Sequence, residues 1–158
     1  MKATVHWKEN MTFVGTPDSG FPVQMDAGAA SGGSDNGVRP MEMLALGLAG
    51  CTAMDVISIL QKKQQNVTHF DVEVDAARAQ EHPKVFTSTV ITYIVTGVNV
   101  DENALLRAIE LSATRYCPAQ SMLSQVFPMD LRYELYEDEG NGERRLTCQG
   151  TWQEVPQE

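Results

Sequence analysis

The clearest pattern along the chain is the alternation of apolar and polar residues that is typical of β-strands. Over residues 68–78 the apolar side chains fall on one face and the acidic side chains on the other. Residues 85–95 are rich in β-branched side chains, which favour strands, and a turn sequence around Pro83 separates the two segments. We therefore predict a long β-hairpin here. Three shorter strands within residues 4–26 are predicted to form a meander ahead of it.

A second pattern begins at Pro40, where almost every residue up to Leu60 is apolar or small. Proline suits the first turn of a helix, because the N–H group that it lacks would have no partner there. Apolar residues cover most of the helix circumference, which is typical of a helix inside a core rather than on a surface. The sequence therefore predicts a central, buried helix.

The second half of the chain predicts further helices and strands. Residues 101–116 have an amphipathic helical pattern, a short helix follows Pro118, and residues 129–136 alternate as a strand. A final strand is predicted in the tail, with three side chains on one face: Leu146, Cys148 and Trp152. The predicted organisation is an α+β domain over residues 1–136, extended by an acidic turn and an extra C-terminal strand over residues 137–158.

Composition and charge narrow the functional classes. The chain has 158 residues, 42% of them hydrophobic and 21% charged, as expected for one soluble domain with its own core. Twelve basic residues against 21 acidic ones give a net charge of −9, so neither nucleic acid nor an anionic membrane is an expected partner. No apolar run reaches the ~18 residues of a membrane helix. Three cysteines and no apolar leader favour reduced thiols in the cytoplasm.

The three cysteines have different local settings. Cys51 lies within the apolar helix, and Cys148 lies in the last strand, where each can serve as a small hydrophobic packing residue. Cys117 stands just before Pro118, at the predicted start of a helix. Backbone N–H groups and the helix dipole would lower the pKa of a thiol there, with help from Arg115, although an inert N-cap is an equal alternative.

Other catalytic motifs are not found in the sequence. No metal site is expected, because the cysteines are far apart and the histidines have no ligand spacing. The Gly-rich residues 27–38 lack the Gly-Lys-Ser/Thr ending of a phosphate loop, and no cofactor is expected. Glu42 is well placed for the N-terminus of the apolar helix, and Arg39 beside it can be a solvated charge.

Several motifs together resemble one known family. The sequence RPMEML at residues 39–44 leads through ALGLAG to CTAMDV at residues 51–56, and RYCP follows at residues 115–118. This combination resembles the OsmC/Ohr family of thiol-dependent hydroperoxide reductases, and its less characterised OsmC-like bacterial branch in particular. The resemblance extends over about residues 2–136. It implies two long central helices wrapped by mixed or antiparallel sheets, in an obligate, intertwined homodimer with active sites at the subunit interface.

The resemblance also implies a mechanism. Cys51 would attack a small-molecule hydroperoxide and become a sulfenic acid, and Cys117 would then close a disulfide that a dithiol reductant reopens. Such a reaction belongs to oxidative-stress defence. The family activates its cysteine with an arginine from the N-terminal strands and a glutamate directly after the helix proline. In this chain the first arginine is Arg39, and Glu42 stands one residue after the family's position. Arg39, Glu42 and Arg115 are the residues that can take these roles.

Two alternatives follow from the same residues. The chain can form a non-catalytic OsmC-like dimer that binds a small apolar or thiol-reactive ligand. It can also have a structural or protein-interaction role, with the acidic tail as its contact surface.

Overall fold

The computed structural model describes residues 1–153, and within them the chain forms seven β-strands and three α-helices. Two compact units divide the chain, Met1–Leu46 and Gly47–Glu158. The mixture of one antiparallel sheet, one mixed sheet and few helices confirms the predicted α+β class. The last two acidic residues of the tail, Glu154 and Glu158, lie outside the described residues.

The first unit contains a small antiparallel sheet. Its strands are β1 (Ala3–Glu9), β2 (Thr12–Pro17) and β3 (Val23–Met25), in that order across the sheet. This arrangement confirms the predicted meander. The Gly-rich segment that follows has one short 3-10 turn, Ala29–Ser31, as its regular structure.

The second unit is built on a four-stranded sheet in the order β4-β5-β6-β7. Strands β4 (Asn66–Arg78) and β5 (Phe86–Val98) form the predicted long hairpin. Strands β6 (Met129–Gly140) and β7 (Glu143–Trp152) form a second hairpin, which confirms the strand predicted in the tail.

The turn of this second hairpin is tighter than the sequence indicated. The acidic residues from Glu137 onward continue β6 as far as Gly140, and the reversal takes place at Asn141 and Gly142. Gly140, Asn141 and Gly142 all have positive φ angles, which glycine adopts without steric cost and asparagine more readily than most residues.

Strands β5 and β6 run parallel, so the chain must cross back over the sheet between them. The crossover consists of α2 (Glu102–Leu111), a π-helical turn (Ser112–Tyr116) and α3 (Pro118–Leu123). The sequence pattern predicted one continuous helix up to Tyr116 and did not indicate the π turn. That turn is closed by the Cys117 N–H, which donates to the Ser112 carbonyl oxygen five residues earlier.

The apolar helix α1 (Pro40–Lys62) is less buried than its composition predicted. One stripe, at a spacing of four residues, is buried in the core: Leu48, Thr52, Val56 and Leu60. Other apolar residues of the helix face solvent, with Leu46 62% and Met54 74% exposed. The prediction of an all-round buried helix is therefore wrong for a single chain.

The expectation that no segment reaches membrane-spanning length is also wrong for α1. Its 23 residues are long and apolar enough, by length and composition alone, to cross a bilayer. A core helix of a soluble protein meets the same criterion, so this finding does not by itself indicate a membrane protein.

The core of the second unit lies between the mixed sheet and the helices packed on it. Fully buried side chains come from α1, β5 and α2: Val56, Leu60, Ile91, Tyr93, Val95, Leu105 and Ile109. Residues of α1 and of the π turn also face this core, so polar side chains at these positions are brought into a low-dielectric setting.

Candidate functional site

Two cysteines that are 66 residues apart in sequence meet in the second unit. Cys51 lies on α1, and Cys117 lies between the π turn and α3, where it is the N-cap residue of α3. Both thiols are free, and their sulfur atoms are 2.8 Å apart. A disulfide holds its sulfurs at about 2.05 Å, so the two thiols are close to the separation at which a bond forms. The structure thus brings together the two cysteines that the sequence motifs singled out.

The two sulfurs differ in exposure and in hydrogen bonding. Cys117 is 2% exposed, whereas Cys51 is only partly buried. The Cys117 thiol donates a hydrogen bond to the Cys51 sulfur and accepts one from the Gln120 backbone N–H at 3.3 Å. Cys51 is therefore the sulfur that a small molecule reaches more easily.

Burial raises the pKa of the Cys117 thiol to about 12, and its hydrogen bond to Cys51 acts in the same direction. The Gln120 N–H lowers the pKa, but this single contact does not offset the loss of solvation. Of the two alternatives that the sequence left open for Cys117, a lowered pKa is wrong, and the N-cap position is the one that the structure shows. A thiol with this pKa keeps its proton at neutral pH.

A chain of hydroxyl groups lies next to the thiols and ends at Asp55. Tyr93 Oη is 2.6 Å from Thr52 Oγ1, which is 2.9 Å from Ser112 Oγ. Ser112 Oγ donates to Asp55 Oδ2 at 3.2 Å. Because an ionised carboxylate only accepts and each hydroxyl has one proton to donate, Tyr93 donates to Thr52 and Thr52 to Ser112. All three hydroxyl residues are fully buried, and their hydrogen bonds hold the Asp55 carboxylate in place.

Asp55 completes a cluster with the two cysteines. One carboxylate oxygen and the two sulfur atoms all lie within 4.8 Å of one another. Metal binding would require both thiols to lose their protons, and Cys117 keeps its proton at neutral pH, so the cluster is not a ready set of metal donors. The spacing of cysteines and histidines along the chain did not predict this group of donors, because it depends on two distant segments meeting.

Arg39 and Glu42, the other two predicted site residues, belong to the first unit and bind each other there. The Arg39 guanidinium donates to Glu42 Oε1 at 2.9 Å and also contacts the Asp35 carboxylate. The Arg39 backbone N–H donates to Glu42 Oε2 at 2.9 Å, which is the N3-to-N-cap contact of a capping box. Both side chains are about half exposed, and their observed role is to fix the start of α1. Arg115 is exposed, and its guanidinium lies over the Tyr116 ring.

The Glu42→Gln variant is expected to lower the melting temperature slightly at pH 7. Hydrogen bonds from the Arg39 backbone N–H and then from its guanidinium hold the pKa of Glu42 below its ordinary value. A carboxyl group with a depressed folded-state pKa stabilises the protein at neutral pH and loses that contribution as it becomes protonated. The difference in melting temperature should therefore be constant from pH 7 to 5 and shrink below the ordinary glutamate range of about 4.3.

The measurement is a series of thermal melts of both proteins from pH 7 to pH 3. Glu73→Gln on β4, also an exposed glutamate, is the matched control and should shift the melting temperature less at pH 7. If the difference in melting temperature between Glu42→Gln and the wild-type protein were as large at pH 3 as at pH 7, the stabilisation would not come from the ionised Glu42 carboxylate.

A cavity of about 800 Å³ opens in the second unit beside α3. Its walls combine hydroxyl and amide side chains with aromatic ones, including Thr89, Gln120, Phe127 and Trp152. Gln120 links this cavity to the thiols, because its backbone N–H is the donor to Cys117. Cys148 packs against the core from β7, as the sequence predicted, and burial raises the pKa of its thiol.

Sequence reasoning missed Asp55 and the hydroxyl chain. Asp55 stands four residues after Cys51, which places the two side chains on the same face of a helix. An acidic residue inside an otherwise apolar helix was a usable signal for it. Ser112 and Tyr93 had no such local signal, since they come from the π turn and from β5.

Comparisons with known proteins identify the family and the fold of the chain. The family model described as "OsmC-like protein" matches residues 32–132. Protein YhfA of Escherichia coli K12 is 38% identical over 135 residues, which cover 85% of this chain and 98% of YhfA. The crystal structure of a hypothetical protein from Aquifex aeolicus is 25% identical, with a TM-score of 0.77 over 87% of this chain and 97% of that one. An organic hydroperoxide resistance protein from Elizabethkingia anophelis shares the fold at 15% identity, with a TM-score of 0.62 over 86% and 94% of the two chains. The chain belongs to the OsmC/Ohr family.

Proposed function

We propose that the protein is a thiol-dependent reductase of organic hydroperoxides, with Cys51 as the peroxidatic and Cys117 as the resolving cysteine. The observation that carries the proposal is the pair of free thiols whose sulfurs are 2.8 Å apart. Membership of a family that includes organic hydroperoxide resistance proteins supports the substrate class.

The proposed reaction has two steps. The Cys51 thiolate attacks one oxygen of the hydroperoxide, the O–O bond breaks, and the other oxygen takes a proton and leaves with the organic group as an alcohol. Cys51 is then a sulfenic acid. The Cys117 sulfur attacks the Cys51 sulfur, an S–S bond forms, and the hydroxyl group leaves as water. A dithiol reductant returns both cysteines to thiols by exchange.

The differences between the two cysteines support this assignment of roles. Cys117 is buried and holds its proton at neutral pH, because burial and its hydrogen bond to Cys51 raise the pKa of the thiol. The thiolate is the nucleophile in thiol chemistry, so Cys117 is a poor first attacker. Cys51 is more exposed and accepts the hydrogen bond from Cys117, which leaves it as the sulfur available to the peroxide.

The proposal includes an obligate homodimer. Apolar side chains that a single chain leaves in solvent, among them Trp7 at 66%, Leu46 at 62% and Met54 at 74% exposed, are surface that a second copy would cover. We also propose that Arg39 and Glu42 activate Cys51 in such a dimer. We also propose that the protein acts in the cytoplasm, where its thiols are kept reduced, as part of oxidative-stress defence.

Thiol mapping tests the proposed function. Fully reduced protein receives one equivalent of cumene hydroperoxide per chain, and its thiols are counted before and after. The proposed homodimer is checked in the same sample, whose mass in solution should be twice 17.4 kDa. We expect the three thiols of each chain to fall to one, Cys148, and peptide mass spectrometry to find a peptide pair linked through Cys51 and Cys117. Three thiols that stay untouched would reject the reductase and favour the dimer that binds an apolar or thiol-reactive ligand.

A further inference from the structure

Disulfide formation at this site requires a proton acceptor. When Cys117 attacks a Cys51 sulfenic acid, the Cys117 proton must leave its sulfur, and the departing hydroxyl group must gain a proton to become water. Cys117 is buried and donates its proton toward Cys51, with a pKa raised to about 12 by burial. If Cys117 had to ionise into solvent first, disulfide formation would therefore be slow at neutral pH. A base beside Cys117 would accept the proton and remove this limit on the rate.

Among residues 1–153, three titratable groups face Cys117 from the elements packed against it. Cys51 and Asp55 come from α1, and Tyr93 comes from β5. From α3, the Gln120 backbone N–H faces the sulfur as a donor. Cys51 is the reacting partner itself. Tyr93 is a protonated phenol whose pKa burial raises further, so it cannot accept a proton at neutral pH. Asp55 is the group of the three that can act as the base.

Asp55 also has the required position. Its carboxylate oxygen is within 4.8 Å of both sulfurs. A small side-chain movement would bring the oxygen into direct contact with a sulfur, and a single bridging water would also span this distance. The Ser112 hydroxyl fixes the carboxylate from the other side, at the end of the hydroxyl chain that begins at Tyr93. The carboxylate is therefore held between a buried hydrogen-bond network and the two reacting sulfurs.

We propose that Asp55 is the proton acceptor for disulfide formation, taking the Cys117 thiol proton and returning it to the hydroxyl group that leaves Cys51 as water. The inference rests on the proposed function for its place in a catalytic cycle. The proton transfer itself does not depend on that function, because any reaction that needs the Cys117 thiolate also needs an acceptor for its proton. No oxidant beyond the hydroperoxide of the first step is needed, and the proton is conserved.

The test uses attack of Cys117 on a mixed disulfide, so that it does not depend on peroxide reduction. In the Cys148→Ser background, Cys51 is labelled with 5,5′-dithiobis(2-nitrobenzoate), and release of the second thionitrobenzoate reports attack by Cys117. In protein that retains Asp55 we expect this rate to vary by less than about twofold from pH 6 to 8, because proton transfer to a neighbouring base does not depend on prior ionisation of the thiol. A rate that rises about tenfold per pH unit would mean that Cys117 ionises without a base, and would overturn the proposal.

The Asp55→Asn variant is expected to slow this release by about 100-fold at pH 7 and to make it rise about tenfold per pH unit. Asp55→Glu should recover part of the rate and the flat pH profile. Asp75→Asn, which removes an exposed carboxylate from β4, is the matched control and should leave the rate unchanged.

The sign of the Asp55→Asn effect separates proton transfer from a purely electrostatic role. The negative charge of Asp55 contributes to the raised pKa of Cys117. If charge were its whole effect, removing it would lower that pKa and speed the attack. An unchanged or faster rate in Asp55→Asn would therefore overturn the proposal. If thionitrobenzoate release is slowed in Asp55→Asn but the wild-type protein consumes no hydroperoxide, the role of Asp55 is supported and the reductase is rejected. Failure of this inference and failure of the proposed function are therefore distinguishable.

Discussion

The Cys51→Ser variant is expected to consume cumene hydroperoxide no faster than buffer, a loss of at least about a thousandfold. A serine hydroxyl is a far weaker nucleophile than a thiolate, and the neighbouring thiol cannot replace it. Cys117 is buried, and burial raises its pKa to about 12, so it offers almost no thiolate to a peroxide at neutral pH. The measurement is the rate of hydroperoxide loss at pH 7 with a dithiol reductant in excess.

Cys148→Ser is the matched control for this experiment. Cys148 lies on β7 and packs against the core, and it takes no part in the thiol pair. Its replacement should leave the rate within about twofold of the wild-type rate. Consumption that persists in Cys51→Ser, or that disappears in Cys148→Ser, would assign the reaction to a different sulfur.

Local pattern predicted most strands, because alternation along a strand reports directly which face is buried. The hairpin of β4 and β5 and the hairpin of β6 and β7 both follow from such alternation. One detail of the tail did not. Leu146 was expected on the buried face with Cys148 and Trp152, but it is 43% exposed because a register shift at this point of the β6–β7 pairing changes the face.

Burial depth was harder to predict than element type. The composition of α1 indicated burial on all sides, whereas a single chain buries one stripe of it. The position of Cys117 at a helix start was correctly predicted, but neither alternative considered for it, a lowered pKa or an inert N-cap, included the raised pKa of the thiol. A sequence shows the nearby N–H groups that lower a thiol pKa, but not the distant side chains that remove its solvent.

The candidate site was predicted only in part, for a related reason. The meeting of Cys51 and Cys117 was implied by resemblance to a family, since no periodicity relates residues that are 66 positions apart. The polar cluster around them joins α1, β5 and the π turn. Such a cluster depends on tertiary packing, which local sequence does not show. The one local indication is the four-residue spacing of Cys51 and Asp55, which places both side chains on the same face of α1.

The Cys117→Ser variant is expected to react once with hydroperoxide and then stop, when no reductant is present. Cys51 would become a sulfenic acid that has no second thiol to close a disulfide, and excess peroxide would oxidise it further. Mass spectrometry should find Cys51 heavier by about 16 Da and then about 32 Da, with no linked peptide. The wild-type protein should show the disulfide and no added oxygen on Cys51.

This variant should fold, which makes its chemistry interpretable. Serine is slightly smaller than cysteine and is a favoured N-cap residue, so its hydroxyl can accept the Gln120 N–H that the Cys117 sulfur accepts in the wild-type protein. The variant therefore removes the resolving sulfur and keeps the start of α3. If Cys51 gained no oxygen in Cys117→Ser while the wild-type protein still formed the disulfide, the order of attack would be reversed, with Cys117 as the cysteine that meets the peroxide first. Burial of that thiol and the proton that it holds argue against the reversed order, and the mass of Cys51 decides between the two.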